Sequence, residues 1–127
     1  MPKTKSTYVD GFVLVVPKKR VAEYRKIARQ AGKIWKKYGA LNYKECMLDR
    51  ARPKGVILTF PKMTKVKPGE TVWFSYIEYK SKAHRDAVNK KVMADPSMKP
   101  DNPNHMDNMP FDMKRMAYGG FKVVVDA

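Results

Sequence analysis

The sequence predicts an α+β domain in which two strand–helix–strand units share one four-stranded antiparallel sheet. Three observations carry that expectation. Residues 8–16 and 71–79 are dense in β-branched and aromatic side chains, the composition of strands. Each of these runs into a stretch with small or apolar residues at helical spacing, 18–38 and 82–94. Further extended stretches follow at 41–49 and 115–125. Two βαβ units of this kind make a ferredoxin-like βαββαβ sandwich, with both helices on one face of the sheet.

The elements are justified in turn. In YVDGFVLVV, both faces beyond Asp10 are apolar, so both sides of the sheet must be covered. Pro17 suits a first helical turn, where its missing amide costs nothing. In the first helix Val21, Tyr24, Ala28, Ala31, Trp35 and Tyr38 alternate at spacings of three and four, and Gly39 ends it. The strand 41–49, LNYKECMLD, alternates weakly. A long connection, 50–69, holds the apolar piece 56–60 among Pro53, Gly55, Pro61, Pro68 and Gly69. Ser81 is the expected N-cap of the second helix, and Asp95-Pro96 its stop. Pro100, Pro103 and Pro110 break regular structure across 97–113, and Gly119-Gly120 in the last strand mark a bulge or a close backbone approach.

Two helices cover one face only. In the third strand Val72, Phe74 and Tyr76 oppose Trp73, Ile77 and Tyr79, so a lone protomer would expose an apolar sheet face. A homodimer packed sheet to sheet removes it.

The 127 residues fit one domain, spanning 1–127. No apolar run is long enough for a membrane span, the N-terminus has no signal-peptide pattern, and Cys46 is the single cysteine. A cytoplasmic protein with no membrane partner is expected. The net charge of +15 is concentrated. Residues 17–39 carry nine Lys or Arg against Glu23, and 50–68 carry six against no acid. Such faces attract nucleic acid or phosphorylated ligands, although their commoner role is solvation.

With these segments in place, YVDGFVLVVP, the Glu45-Cys46 pair, ETVWFSYIEYKSKAHRDAVNKKVMADP and MPFDMKRMAYGGFKVVV resemble the YbaA-like family. These are small bacterial proteins of unknown function, placed in the dimeric α/β-barrel superfamily. The resemblance covers roughly 8–125. It implies a ferredoxin-like protomer pairing as a dimeric α/β barrel, and it brings no catalytic residues with it.

Polar groups among apolar strand residues are the candidates for chemistry: Asp10, Glu45, Glu78 and Tyr118, with His84 on the second helix. A histidine titrates near neutrality and can act as a general base, while Glu45 and Glu78 could form an acid/base pair. The commoner roles are a histidine bonded to a neighbouring group and strand carboxylates paired with Lys44, Lys80 or Arg85. Cys46 reads as packed and inert. Lys62, Lys65 and Lys67 are candidates for an anion, although no glycine-rich cradle supports them. His105 with Met106, Met109, Met113 and Met116 imitates a soft-metal set, but methionine is also an adaptable anchor for irregular loops. No zinc spacing, P-loop or dinucleotide fingerprint occurs, so neither metal nor cofactor is expected.

Three functions follow. The first is a homodimer that binds a small molecule, or acts on one without a cofactor, in the cleft between sheet and helices. The second is a basic RNA-binding dimer using the first helix and the 50–68 loop, against which the aromatics sit at core spacings. The third is a structural or regulatory dimer without chemistry. The first is preferred, and the sequence assigns neither a reaction nor a substrate.

Overall fold

The computed structural model describes residues 5–98 and 109–127. Their elements are β1 (Tyr8–Pro17), α1 (Val21–Lys37), β2 (Asn42–Met47), α2 (Phe60–Thr64), β3 (Glu70–Tyr79), α3 (Lys82–Ala94) and β4 (Ala117–Lys122), with 3-10 turns at Lys18–Arg20, Pro96–Met98 and Met113–Arg115. The four strands form one sheet in the order β2-β3-β1-β4, every neighbouring pair antiparallel. The protein is therefore α+β, as expected.

β1 is central because it bonds on both edges: Tyr8 lies opposite Tyr79 on β3 and opposite Lys122 on β4. The pleat then sends Asp10, Phe12, Leu14 and Val16 to one face and Val9, Gly11, Val13 and Val15 to the other. α1 and α3 cover the first face. One apolar cluster joins Leu14, Val16 and Trp73 to Tyr24 and Ala28 of α1. A second joins Ile77 and Tyr79 to Val88 and Val92 of α3, with Ala40 and Met98 closing its ends.

The helix ends follow local chemistry. Ser81 Oγ accepts the His84 N–H at 3.0 Å, the capping bond expected at the start of α3. Gly39 takes φ of 111° just past α1, a conformation that glycine adopts without steric penalty. Arg20 bonds Glu23 at 2.9 Å, and Lys36 and Lys37 stand in the last turn of α1, where cations suit the helix dipole.

Several boundaries differ from expectation, the first helix beginning at Val21 because Pro17 still pairs with Glu70 in β1. The 50–69 connection contains α2, because Thr59 accepts the Lys62 N–H and Pro61 sits in the first turn, where a proline initiates rather than interrupts. The last strand is shorter than 115–125: residues 113–115 form a 3-10 turn capped by Asp112, and Lys122 is already opposite Tyr8 at the start of β1. β2 likewise stops at Met47. Gly119 and Gly120 make no bulge. Their pairing with Gly11 and Asp10 is continuous, and a Cβ on Gly120 would overlap the Tyr8 hydroxyl. Among the described residues, no helix is long and apolar enough to cross a membrane.

Candidate functional site: a cavity between sheet and helices

A cavity of about 340 Å³ lies between the covered face of the sheet and the two long helices. Phe12 and Leu14 of β1 and Ile77 of β3 form its floor. Ile27, Ala28, Ala31, Ile34 and Trp35 of α1 line one wall, and Asn89 and Met93 of α3 the other. Met98, Met109, Phe111 and Met116 also line the cavity. Into this apolar space the strands and α3 bring two separate polar clusters.

The first is built on Asp10. Its residue is 1% exposed, so its carboxylate has to be matched by protein groups. Arg85 Nε donates to Asp10 Oδ2 at 2.9 Å, and the Tyr118 hydroxyl donates to Oδ1 at 3.0 Å. Arg85 Nη2 also donates to the Tyr118 oxygen, and Arg85 Nη1 to Asp86 at 3.1 Å. Burial works against the Arg85 charge, yet the bonds to Asp10 and Asp86 outweigh it and hold the guanidinium above its ordinary pKa. Burial, then the bond to Asp10, raises Tyr118. Beside this cluster, Asn89 donates to the Tyr79 hydroxyl at 3.2 Å, and burial pushes Tyr79 up to about 12.

The second cluster is built on Glu45. Tyr24 donates to Oε1 at 2.9 Å, Tyr43 to Oε2 at 2.6 Å, and the Ser75 hydroxyl also to Oε1. Ser75 can reach because β2 and β3 place it directly opposite Glu45. Burial, then the charge of Glu45, raises both tyrosines well above the usual phenol range. Two ring contacts frame this end of the cavity: Trp35 with Tyr43 at 6.1 Å, and Tyr24 edge-on to Phe111 at 5.7 Å.

Of the residues singled out from sequence, Asp10, Glu45 and Tyr118 line the cavity, whereas Glu78 and His84 do not. Glu78 pairs with Asn42 and lies three positions from Ser75, which sends it to the opposite sheet face from Glu45. The two glutamates therefore share no site. His84 sits in the first turn of α3 and folds back over the strand–helix junction. Its Nδ1 accepts the Lys80 N–H at 2.9 Å, and its ring packs edge-on against Tyr79 at 5.9 Å. Burial, reinforced by Lys80, lowers its pKa.

Lys62 and Lys65 line a shallow surface groove with Arg52, far from the cavity lining in composition. Lys62 Nζ donates to the Ile57 carbonyl at 3.1 Å, and Lys65 is the left-handed cap of α2. Lys67 contributes its N–H to Glu70 at 2.7 Å. Cys46 is exposed rather than packed, because it lies on the edge strand β2 opposite Phe74, on the face without helices. Met109 and Met116 line the cavity, Met113 is exposed, and His105 and Met106 lie outside the described residues.

Sequence reasoning passed over Arg85 and Asn89 as site residues. Their signal was spacing: Arg85, Asn89 and Met93 recur every four residues and so share one stripe of α3. Being polar, the first two resembled a solvated face. Tyr24 was legible as core, but not as a partner of Glu45, which is 21 residues away.

Residues 7–113 match the family model described as "Protein of unknown function (DUF1428)". The chain is 44% identical over 119 residues to "Uncharacterized protein YbaA" of Escherichia coli (strain K12), a match covering 94% of this chain and 97% of the relative. Proteins of the same name from Escherichia coli O157:H7 and Shigella flexneri match to the same extent. None of these descriptions assigns an activity.

Proposed function

Because this chain belongs to the DUF1428 family of proteins of unknown function, we propose a function from the geometry of its site: a homodimeric protein that binds a small organic molecule in the cavity between sheet and helices, with or without turning it over. The observation that carries this reading is the cavity itself, apolar in its walls and holding two convergent polar clusters around Asp10 and Glu45. That combination of apolar lining and few placed polar groups is the ordinary form of a small-molecule site. Asp10, Glu45, Tyr118 and Arg85 are its contacting residues in this reading, and no cofactor is required.

The strand order β2-β3-β1-β4 with α1 and α3 on one face supports a ferredoxin-like sandwich, one domain per chain. Support for sheet-to-sheet pairing into a dimeric α/β barrel comes from the uncovered face, where Phe74 is 44% and Phe121 60% exposed. The lone cysteine supports a reducing, cytoplasmic setting. A second reading, RNA binding, is favoured by one observation: Arg25, Lys26, Arg29, Lys33, Lys36 and Lys37 are all exposed on α1.

Native mass spectrometry of the protein purified gently from its own host tests both. A dimer carrying a stoichiometric organic molecule is the expected result. A monomer, or a dimer that carries nucleic acid and no small molecule, would overturn the reading.

A further inference from the structure

Among the described residues, three charged groups line the cavity: Asp10, Arg85 and Glu45. Arg85 is bonded to Asp10 and to Tyr118, so those charges are already matched. Glu45 is different. Its three partners, Tyr24, Tyr43 and Ser75, are all neutral hydroxyls, and among the described residues it has no cationic partner. A carboxylate accepts about four hydrogen bonds, and the open position is on Oε2, which Tyr43 alone occupies. The rings of Tyr24, Trp35, Tyr43 and Phe111 line the same cavity, and aromatic rings attract cations. Among the described residues of a chain with net charge +15, this cavity thus carries a negative charge without a cationic partner.

We propose that the ligand of this cavity is a protonated amine carried on an apolar body, its ammonium bonded to Glu45 and its body against Ile27, Ala31 and Ile34. The ammonium supplies the missing counter-charge, and an N–H fills the open acceptor position. An anion entering the same space would meet Glu45 with nothing to offset it, since the guanidinium of Arg85 is engaged. The same three hydroxyls hold the carboxylate in one orientation, so the receptor is organised before the amine arrives. Tyr24 and Tyr43 stay protonated as donors because burial and the Glu45 charge oppose their ionisation.

This inference rests on the cavity reading above, and the test separates the two. Calorimetry would compare phenethylamine, phenethyl alcohol and hydrocinnamate, a cation, a neutral molecule and an anion on similar bodies. Wild type, Glu45→Gln and two cavity-filling variants, Ala31→Phe and Met93→Trp, would be titrated after circular dichroism confirms their fold. Phenethylamine is expected to bind about tenfold or more tighter than the alcohol, and Glu45→Gln to abolish that advantage. Should the alcohol or hydrocinnamate bind as well as the amine, with Glu45→Gln making no difference, the amine class is overturned and the cavity reading stands. Should no probe bind, or binding survive both cavity-filling variants, the cavity reading fails and takes the inference with it.

Discussion

At the scale of single residues, Asp10 is the group whose loss has the clearest consequence. Its carboxylate is buried and bonded to Arg85 and Tyr118. Removing Asp10 takes the acceptor from Arg85 Nε and from the Tyr118 hydroxyl, while Asp86 still pairs the partly exposed guanidinium, at a cost of about 1–3 kcal/mol. Asp10→Ala is therefore expected to lower the urea midpoint strongly, and the double variant Asp10→Ala/Arg85→Met to recover part of the loss. A double variant no more stable than the single one would show that Arg85 is content without its partner. From sequence, Asp10 stood out as the one acid in an otherwise apolar strand. Arg85, 75 positions away, had no such contrast, because a charged residue on a helix is ordinary until the fold shows where it points.

At the scale of elements, α1 packs against Tyr43 of β2 at Gly32. A Cβ added there would lie 2.8 Å from Cδ1 of Tyr43, closer than real contacts allow. The ring cannot swing aside freely, since its hydroxyl is bonded to Glu45 at 2.6 Å. Gly32→Ala sets a gain of about 1 kcal/mol in helix propensity against an overpacking cost of about 1–3 kcal/mol. The expected balance is a lower denaturation midpoint and weakened binding in the cavity, because Tyr43 holds Glu45. An unchanged or raised midpoint would mean that the helix moves away at little cost. The periodicity of α1 was legible, with Tyr24, Ala28 and Trp35 on one stripe. Gly32 was not, because a glycine in a helix reads as a small cost until the neighbour it admits is known.

At the scale of the whole molecule, the titrating groups act together on stability. Burial lowers His84 from 6.5, the Arg115 bond lowers Glu70 from 4.5, and the Tyr38 and Ser97 bonds hold Asp95 well below 3.8. On acidification the unfolded chain takes up protons that the folded chain resists, so stability falls with pH. The thermal midpoint is expected to hold near neutrality, to drop slightly below about 6.5 as His84 titrates, and more steeply below about 4.5. Asp95→Asn should flatten the lower stage and leave the upper one intact. Toward alkaline pH, Tyr24, Tyr43 and Tyr79 have raised values in the folded state, so stability declines again above about 10. A midpoint independent of pH from neutrality down to about 4 would contradict these assignments.

The sequence alone determined the α+β class, the sites of the four strands and two long helices, the cap at Ser81 and the stop at Asp95, because those features depend on residues within a turn or two of each other. It also marked Asp10, Glu45 and Tyr118 as polar groups out of place on apolar strands. The small helix α2 escaped, since Pro61 serves equally as breaker and initiator and only the Thr59 cap decides between them. What the tertiary structure decided was which polar groups meet. Register places Ser75 beside Glu45 and sends Glu78 to the other face, α3 delivers Arg85 rather than His84 to Asp10, and α1 brings Tyr24 onto Glu45. Those meetings join residues 21 to 75 positions apart, and pairings so distant leave no periodicity in the chain; they exist only once the sheet and helices have packed.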